Sequence, residues 1–460
     1  MTITLVLSDT VAAGLCSAAQ GEVETAGVLL ARAVRTPGGD LRLLARELLW
    51  VAEDAYLVRE AEALSIASHG YVPALAAAEA DRSVPIWLHT HPGDGSSPKP
   101  SLHDEVVDEQ LTDLFRIRSG SPYYAALVVA HEAGQLRFSG HIESDDGYED
   151  IDRLWITGRR FTLVPNALHE TTALQTQFDR NIRAFGGDIQ RVLGDLRVGI
   201  VGAGGTGSAV AEQVVRLGVR HLQLFDPDTL TASNLTRVYG SVPTDVGQPK
   251  VDVLADHLCR IAVDVDVRTH RAMITVEDTA RSLMDADVVF GCTDDNAGRL
   301  VLSRIASYLL TPVIDCGVLL SSNGGGRLEG IDGRVTVLAP GTACLICRGR
   351  IDLQRAAAEM LTPDEHRRLA DEGYAPALPG VEPAVITYTT TVAAAAVSEL
   401  LERLVRYGPE PAPSEVLLRL HEREISTNDQ RPGERHYCHP GTGKLGFGLT
   451  EPFLEQTWQA

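Results

Sequence analysis

The chain lacks any apolar run long enough to cross a membrane, and its first residues lack the basic segment and long apolar stretch of a secretory leader. Cysteine is scarce: seven thiols, an odd number and widely spaced, do not make a disulfide framework. No Lys/Arg-rich run interrupts a net charge of −21, which removes the basic footprint a nucleic-acid binder carries. These absences predict a cytoplasmic protein with no membrane and no nucleic-acid partner. What is present, 44% hydrophobic and 22% charged residues, is globular composition. At 460 residues the expectation is two or three domains.

The N-terminal third predicts strands over 2–7, 28–31, 41–51 and 85–89, with helices over 11–20 and 59–67. The strand at 85–89 ends in His89-Thr-His91-Pro92, followed by Ser101-Leu-His-Asp104. His89 and His91 are two apart on an extended segment, so both face one side. Asp104 falls on the first turn of a helix starting near Ser101. Two histidines and a carboxylate form a ligand set for catalytic zinc, with a fourth position left for water. His103 and Asp108 are read as exposed helix positions. Strands at 123–130 and 135–141 close the domain, and the acidic stretch 143–150 is read as a boundary loop.

His89-x-His91-Pro92 with Ser101-x-x-Asp104, preceded by Glu24 in a Glu-Thr-Ala-Gly context, resembles the JAMM (JAB/MPN+) metalloprotease motif. The resemblance implies an α+β zinc protease domain that cleaves isopeptide or peptide bonds after ubiquitin-like proteins. It makes His89, His91 and Asp104 the zinc ligands, Glu24 the general base, and Ser101 a holder of the tetrahedral oxyanion. The spacer between Pro92 and Ser101 is longer than the family pattern, and Gly93, Gly95 and the prolines suggest that the surplus forms a loose loop.

Downstream, Val198–Val201 leads into Gly202, Gly204, Gly205 and Gly207, then a helical pattern, then Leu222–Phe225 closed by Asp226. A strand, a glycine turn, a helix and a second strand ending in an acid bind a nucleotide: the glycines admit phosphate to the backbone and the helix N-terminus favours its charge. Alone, the turn fits NAD as well as ATP. Asp228, Asn234, Arg237 and Lys250 follow, and apolar runs at 286–290 and 312–314 lead into Asp294 and Asp315. Arg237 and Lys250 can neutralise charge on a triphosphate under acyl attack, and Asp294 can hold Mg²⁺.

Residues 179–441 resemble the ubiquitin-activating superfamily, most closely the bacterial adenylyltransferases of molybdopterin and thiamine biosynthesis. The resemblance implies a Rossmann-like doubly wound domain that adenylates the C-terminal glycine of a ubiquitin-like protein. Gly202, Gly204, Gly205 and Gly207 become the phosphate turn, Asp226 the ribose contact, and Asn234, Arg237 and Lys250 phosphate contacts. Arg180 corresponds to an arginine that reaches the partner's ATP in a homodimer. Some members pass the product to a cysteine in the crossover segment. Here 348–385 contains none, which leaves Cys316 as the candidate, although it and Cys292 read as packed small residues.

Cys344-Leu-Ile-Cys347, with His436-Tyr-Cys438-His439 near the domain end, suggests a second, structural zinc of Cys₃His type, its fourth ligand His436 or His439. A redox pair and two reduced buried thiols are the alternatives. The predicted architecture is therefore α/β: a JAMM-like domain over 1–150, a helical connection over 151–178, an adenylation domain over 179–441 and a tail over 442–460. The expected cofactors are zinc, ATP and Mg²⁺. The expected partners are a ubiquitin-like protein, a conjugating enzyme or sulfur-transfer protein, and a second copy of the chain. A biosynthetic adenylating enzyme for a small carrier or peptide, and a non-catalytic scaffold, are the competing readings.

Overall fold

A computed structural model describes residues 1–169, 173–262, 264–322, 328–361, 365, 368 and 384–458. The chain divides into two compact units, Met1–Thr171 with Gly446–Gly448, and Thr172–Leu445 with Leu449–Ala460.

The first unit is a nine-stranded mixed sheet. Its strands are β1 (Ile3–Ser8), β2 (Ala26–Arg35), β3 (Leu41–Trp50), β6 (Val84–Asp94), β7 (Tyr124–Glu132), β8 (Gln135–Ser144), β9 (Gly147–Asp150), β10 (Arg153–Thr157) and β11 (Phe161–Pro165). They lie in the order β11-β10-β1-β3-β2-β6-β7-β8-β9, and β4 (Tyr56–Arg59) with β5 (Leu64–Ile66) form a separate hairpin. Alternation along the strands separates two cores. Leu29, Ile86 and Leu88 pack on the face covered by α1 (Asp9–Ala19). Val28, Trp87 and Tyr124 pack on the face covered by α2 (Val72–Asp81) and α3 (Leu102–Ser119), which contribute Leu75, Leu111 and Phe115. Continuing the two-residue period from Trp87 puts His89 and His91 on the α3 face.

The structure corrects three expectations here. The segment 59–67 is no helix but the turn and second strand of the β4–β5 hairpin. The Glu60 N–H donates to Ala63 O at 2.9 Å, and the Glu60 carbonyl accepts from Glu24 N at 2.8 Å. These tertiary bonds override the helix propensity of Glu-Ala-Glu-Ala. The stretch 143–150 is no boundary loop: it is the end of β8, the hairpin turn and the whole of β9. Residues 153–165 are not part of a helical connection but strands of the first unit: β10 runs parallel to β1, β11 pairs with β10, and Asp152 accepts the Ile3 N–H at 2.6 Å.

The second unit begins with α4 (Asp179–Phe185) and α5 (Gly187–Asp195), split at Gly186 with φ of 89°. Its sheet runs β14-β13-β12-β15-β16-β17-β18-β19, comprising β12 (Arg197–Val201), β13 (His221–Phe225), β14 (Asp266–His270), β15 (Val288–Gly291), β16 (Val313–Ser322), β17 (Leu328–Leu338), β18 (Glu415–Arg419) and β19 (Glu424–Asn428). The first five are parallel and the last three antiparallel, a Rossmann-like half extended by a meander. Helices α6 (Gly205–Leu217), α7 (Lys250–Ile261), α8 (Glu277–Ser282), α9 (Asn296–Tyr308) and α10 (Leu353–Glu359) intervene, and Ile386–Val405 packs on α6. The last residues of the tail dock on this unit: Phe453 and Leu454 are fully buried, and Arg304 donates to Leu454 O at 2.5 Å.

Candidate active sites

In the first unit three ligand-type side chains converge. His89 Nε2 lies 3.3 Å from His91 Nε2, and the Asp104 carboxylate lies 3.4 Å from His89 and 3.8 Å from His91. His91 Nδ1–H donates to the Ser97 carbonyl at 2.7 Å, which fixes its tautomer and turns the Nε2 lone pair toward His89. Two imidazole nitrogens aimed at each other beside a carboxylate suit a cation between them, and a zinc ion fits this donor set. Burial works against the Asp104 charge, but the two imidazoles hold its carboxyl far below the ordinary carboxylate range.

The fold explains the convergence. Ser101 caps α3 with a reciprocal box: its hydroxyl accepts from Asp104 N at 3.2 Å, and Asp104 accepts from Ser101 N at 2.6 Å. Asp104, Asp108, Leu111 and Phe115 follow at helical spacing, so the apolar pair that seats α3 also turns Asp104 to the sheet. Asp108 is not the exposed position expected. It accepts from the buried Tyr124 hydroxyl and lies 3.1 Å from His141 Nε2. The β2–β6 register pairs Ala26 with His89, and two residues further it sets Glu24 opposite His91. Burial raises the Glu24 pKa, opposed by the two histidines.

Glu24, His91, Ser101 and Asp104 line a cavity of about 620 Å³, walled by the β4–β5 hairpin through Val58 and Ala61–Ser65. The hairpin's part in the cavity was invisible while its sequence read as a helix. The 92–101 segment is pinned rather than loose: Ser96 Oγ donates to Pro92 O at 2.5 Å and Ser139 Oγ to Pro98 O at 2.5 Å.

In the second unit Gly202, Gly205, Gly207, Asp226, Asp228, Arg237 and Lys250 lie around the carboxyl ends of β12 and β13. Gly202 has φ of 95°, and a Cβ on Gly207 would sit 1.7 Å from the Gly202 carbonyl oxygen, so neither tolerates a side chain. A Cβ on Gly204 would meet nothing within 4 Å, and one on Gly205 would come within 3.2 Å of Arg237 Cδ. Asp226 is buried and ties the turn together, accepting from Ala203 N at 2.8 Å and Asp228 N at 2.9 Å. Burial raises its pKa, opposed by Lys250, whose Nζ lies 3.6 Å from Asp226 and 2.7 Å from Asp228. Buried Asn234 accepts from Thr231 N at 3.0 Å, and Arg237 donates to Ser233 O at 2.9 Å.

Asp294 is exposed in the loop after β15, while its neighbour Asp295 caps α9 through Gly298 N. Arg180 is exposed on α4, a helix that packs against α5. Two residues that sequence reasoning missed join this edge. Thr389 Oγ1 lies within 3.1 Å of a Cβ placed on Gly205, and Glu359 accepts from Asn296 N and Ala297 N at 2.7 and 2.9 Å. No local motif marks either, since both arrive from distant helices. Much of the cysteine-free segment 348–385 lies outside the described residues.

Cys344, Cys347, His436 and Cys438 offer ligand atoms all within 4.8 Å of one another. His436 Nδ1 is 3.5 Å from Cys344 Sγ and 3.3 Å from Cys438 Sγ, whereas His439 Nδ1 is engaged by Gly441 N at 3.0 Å. The Cys438 thiol directed at Cys344 holds the Cys344 pKa down, at about 5. Three sulfurs and an imidazole at this spacing fit tetrahedral zinc.

Molybdopterin-synthase adenylyltransferase of Escherichia coli K12 is 32% identical over 172 residues, 37% of this chain and 65% of that protein. Ubiquitin-like modifier-activating enzyme 5 of Branchiostoma floridae is 32% identical over 166 residues, 33% of this chain and 39% of that protein. The chain thus spans less than two thirds of the length of either relative. The crystal structure of E. coli MccB superposes with a TM-score of 0.44 at 17% identity, covering 60% of this chain and 75% of that one. The ThiF family model matches residues 178–439, more than half of the sequence, and the chain belongs to the ThiF family.

Proposed function

We propose that the second unit uses MgATP to adenylate the C-terminal glycine of a ubiquitin-like protein, releasing pyrophosphate. The observation that carries this reading is the cluster of Asp226, Asp228 and Lys250 against the glycine turn, in a chain of the ThiF family. Relatives named as a molybdopterin-synthase adenylyltransferase and a ubiquitin-like modifier-activating enzyme support it. The open side of Gly204 lets phosphate approach backbone N–H groups at the start of α6. Asp226 accepts from the ribose hydroxyls. Asp228 holds the Lys250 ammonium, which with Asn234 and Arg237 offsets charge gathering on the phosphates as the carboxylate attacks. Asp294 would hold the Mg²⁺, and Arg180 would reach the same edge of a second copy.

The sequence 348–385 contains no cysteine, which favours delivery of the acyl adenylate to a separate acceptor, a conjugating or sulfur-transfer protein. Adenylation of a small carrier or peptide in a biosynthetic pathway uses the same site and differs only in substrate. Calorimetry tests the nucleotide site: Lys250→Ala weakens ATP binding at least about tenfold. Unchanged affinity would remove Lys250 from the site.

The first unit, in this proposal, is a zinc-dependent peptidase acting after the same ubiquitin-like terminus. Its supporting observation is the His89/His91/Asp104 cluster, of which His91 and Asp104 line one cavity with buried Glu24. Zinc would supply Lewis acidity toward water and the scissile carbonyl. Glu24, its carboxyl made more basic by burial, accepts the proton of the attacking water and returns it to the leaving amine. Ser101 spends a lone pair on the α3 cap and keeps its O–H to donate to the oxyanion. Incubation with a C-terminal fusion of the cognate protein tests this: wild type releases the fusion partner, and Glu24→Gln does not while still binding zinc. Equal cleavage by both would refute the assignment.

A further inference from the structure

Two cysteines in the second unit are used by neither proposed reaction. Cys292 follows β15 directly, and Cys316 lies on β16, its parallel neighbour. The register pairs Gly291 with Asp315, so the next position on each strand brings Cys292 beside Cys316 on the same face. The neighbouring Cys292 thiol and burial push the Cys316 thiol up, and Cys316 Sγ faces the Ile314 carbonyl at 3.8 Å. Neighbouring strands run about 4.8 Å apart, inside the Cα separation of about 4.4–6.8 Å that a disulfide spans.

Their place in the fold gives the pair consequence. Cys292 underlies the glycine turn. Its N–H donates to Val201 O at 2.7 Å, and its carbonyl oxygen lies 2.6 Å from where a Cβ of Gly202 would be. Its Cβ is 3.4 Å from a Cβ position on Gly207. Cys292 therefore lies directly against the turn. Cys316 is buried and Cys292 half-buried, which makes Cys292 the thiol that solvent reaches first.

We propose that Cys292 and Cys316 form a reversible disulfide that switches off nucleotide binding in the second unit. A peroxide is the oxidant. The Cys292 sulfur attacks one peroxide oxygen, the O–O bond breaks, the other oxygen leaves as water with the thiol proton, and Cys292 becomes a sulfenic acid. The Cys316 sulfur displaces that hydroxyl as a second water, so two thiols lose two hydrogens and two electrons while the peroxide is reduced. Thiol exchange with a dithiol restores both cysteines. Closing the bond draws Cys292 toward β16, and the carbonyl that supports Gly202 moves with it.

The test uses the full chain, treated with hydrogen peroxide and digested without reduction. The expected result is a cross-linked peptide pair joining 292 to 316, about 2 Da lighter than the sum of the two thiol peptides. ATP affinity measured by calorimetry on the same sample falls at least about tenfold and returns after dithiothreitol. Cys316→Ser gives no such pair, and a dimedone adduct appears at Cys292 instead. Two results overturn the proposal: no 292–316 pair under conditions that oxidise the exposed Cys259, or a formed pair with unchanged ATP affinity. If the fully reduced chain binds no ATP, the nucleotide reading fails instead, and the peptide pair is still read independently.

Discussion

Each glycine of the turn after β12 carries a different burden. Gly207 has no space for a methyl group, because the Gly202 carbonyl oxygen already occupies it. Gly204 faces open space. Gly207→Ala is expected to cost at least about 3 kcal/mol, through overpacking that has no route of relief, and to lower the thermal midpoint accordingly. Gly204→Ala is expected to leave the midpoint within the scatter of a surface change, about 0.5 kcal/mol, while weakening ATP binding about tenfold. Melting curves with and without ATP separate the two. The glycines themselves were legible in the sequence, as were Asp226, His89 and His91, since each belongs to a motif with fixed spacing. Thr389 and Glu359 were not, because their place at the edge depends on how distant helices pack.

At the scale of elements, α3 decides whether His89, His91 and Asp104 meet. Its N-terminus is held by the Ser101 cap, its middle by Asp108 against Tyr124 and His141, and its C-terminal half by Leu111 and Phe115. Removing the middle anchor with Asp108→Ala strands the buried Tyr124 hydroxyl, at a cost of about 1–3 kcal/mol. The same change loosens Asp104 one turn away. Zinc affinity of the first unit is expected to fall about 10–100-fold. Competition titration with a chelator measures it, and unchanged affinity would show that the capping box alone positions Asp104. The Ser101 cap was readable from sequence because a capping box is local. The β4–β5 hairpin was not: its alternating Glu and Ala residues favour a helix, and only the bonds from Glu24 and to Ala63 make a turn. The strands β17–β19 also escaped a reading that followed the parallel pattern only.

On the scale of the whole molecule, the two sheets follow from two patterns, but the boundary between them does not. Acidic residues at 143–150 looked like a linker because charge marks solvent exposure, and a two-stranded edge is exposed as well. The chain's acidity also has local exceptions. Glu415 on β18 has a fully buried side chain among arginines, with Arg350 at 3.3 Å, Arg348 at 3.8 Å and Arg334 at 4.0 Å. Burial works against its charge, but the bonds from Asn428 and Arg350 prevail and hold its pKa below the ordinary 4.5. Its stabilisation is therefore complete above pH 4.5 and is lost as pH falls through the lower folded value. Glu415→Gln is expected to destabilise the second unit by about 3 kcal/mol at pH 7, by removing the charge that Arg350 and Arg348 face, and to flatten the acid limb of a urea-midpoint profile. The account as a whole rests on acyl activation at the Asp226–Lys250 edge. ATP–pyrophosphate exchange, measured with a candidate ubiquitin-like protein ending in glycine and with the same protein lacking that glycine, tests it most directly. The account predicts exchange with the first and none with the second. Equal exchange with both, or none with any glycine-terminated candidate while ATP is bound, would contradict it.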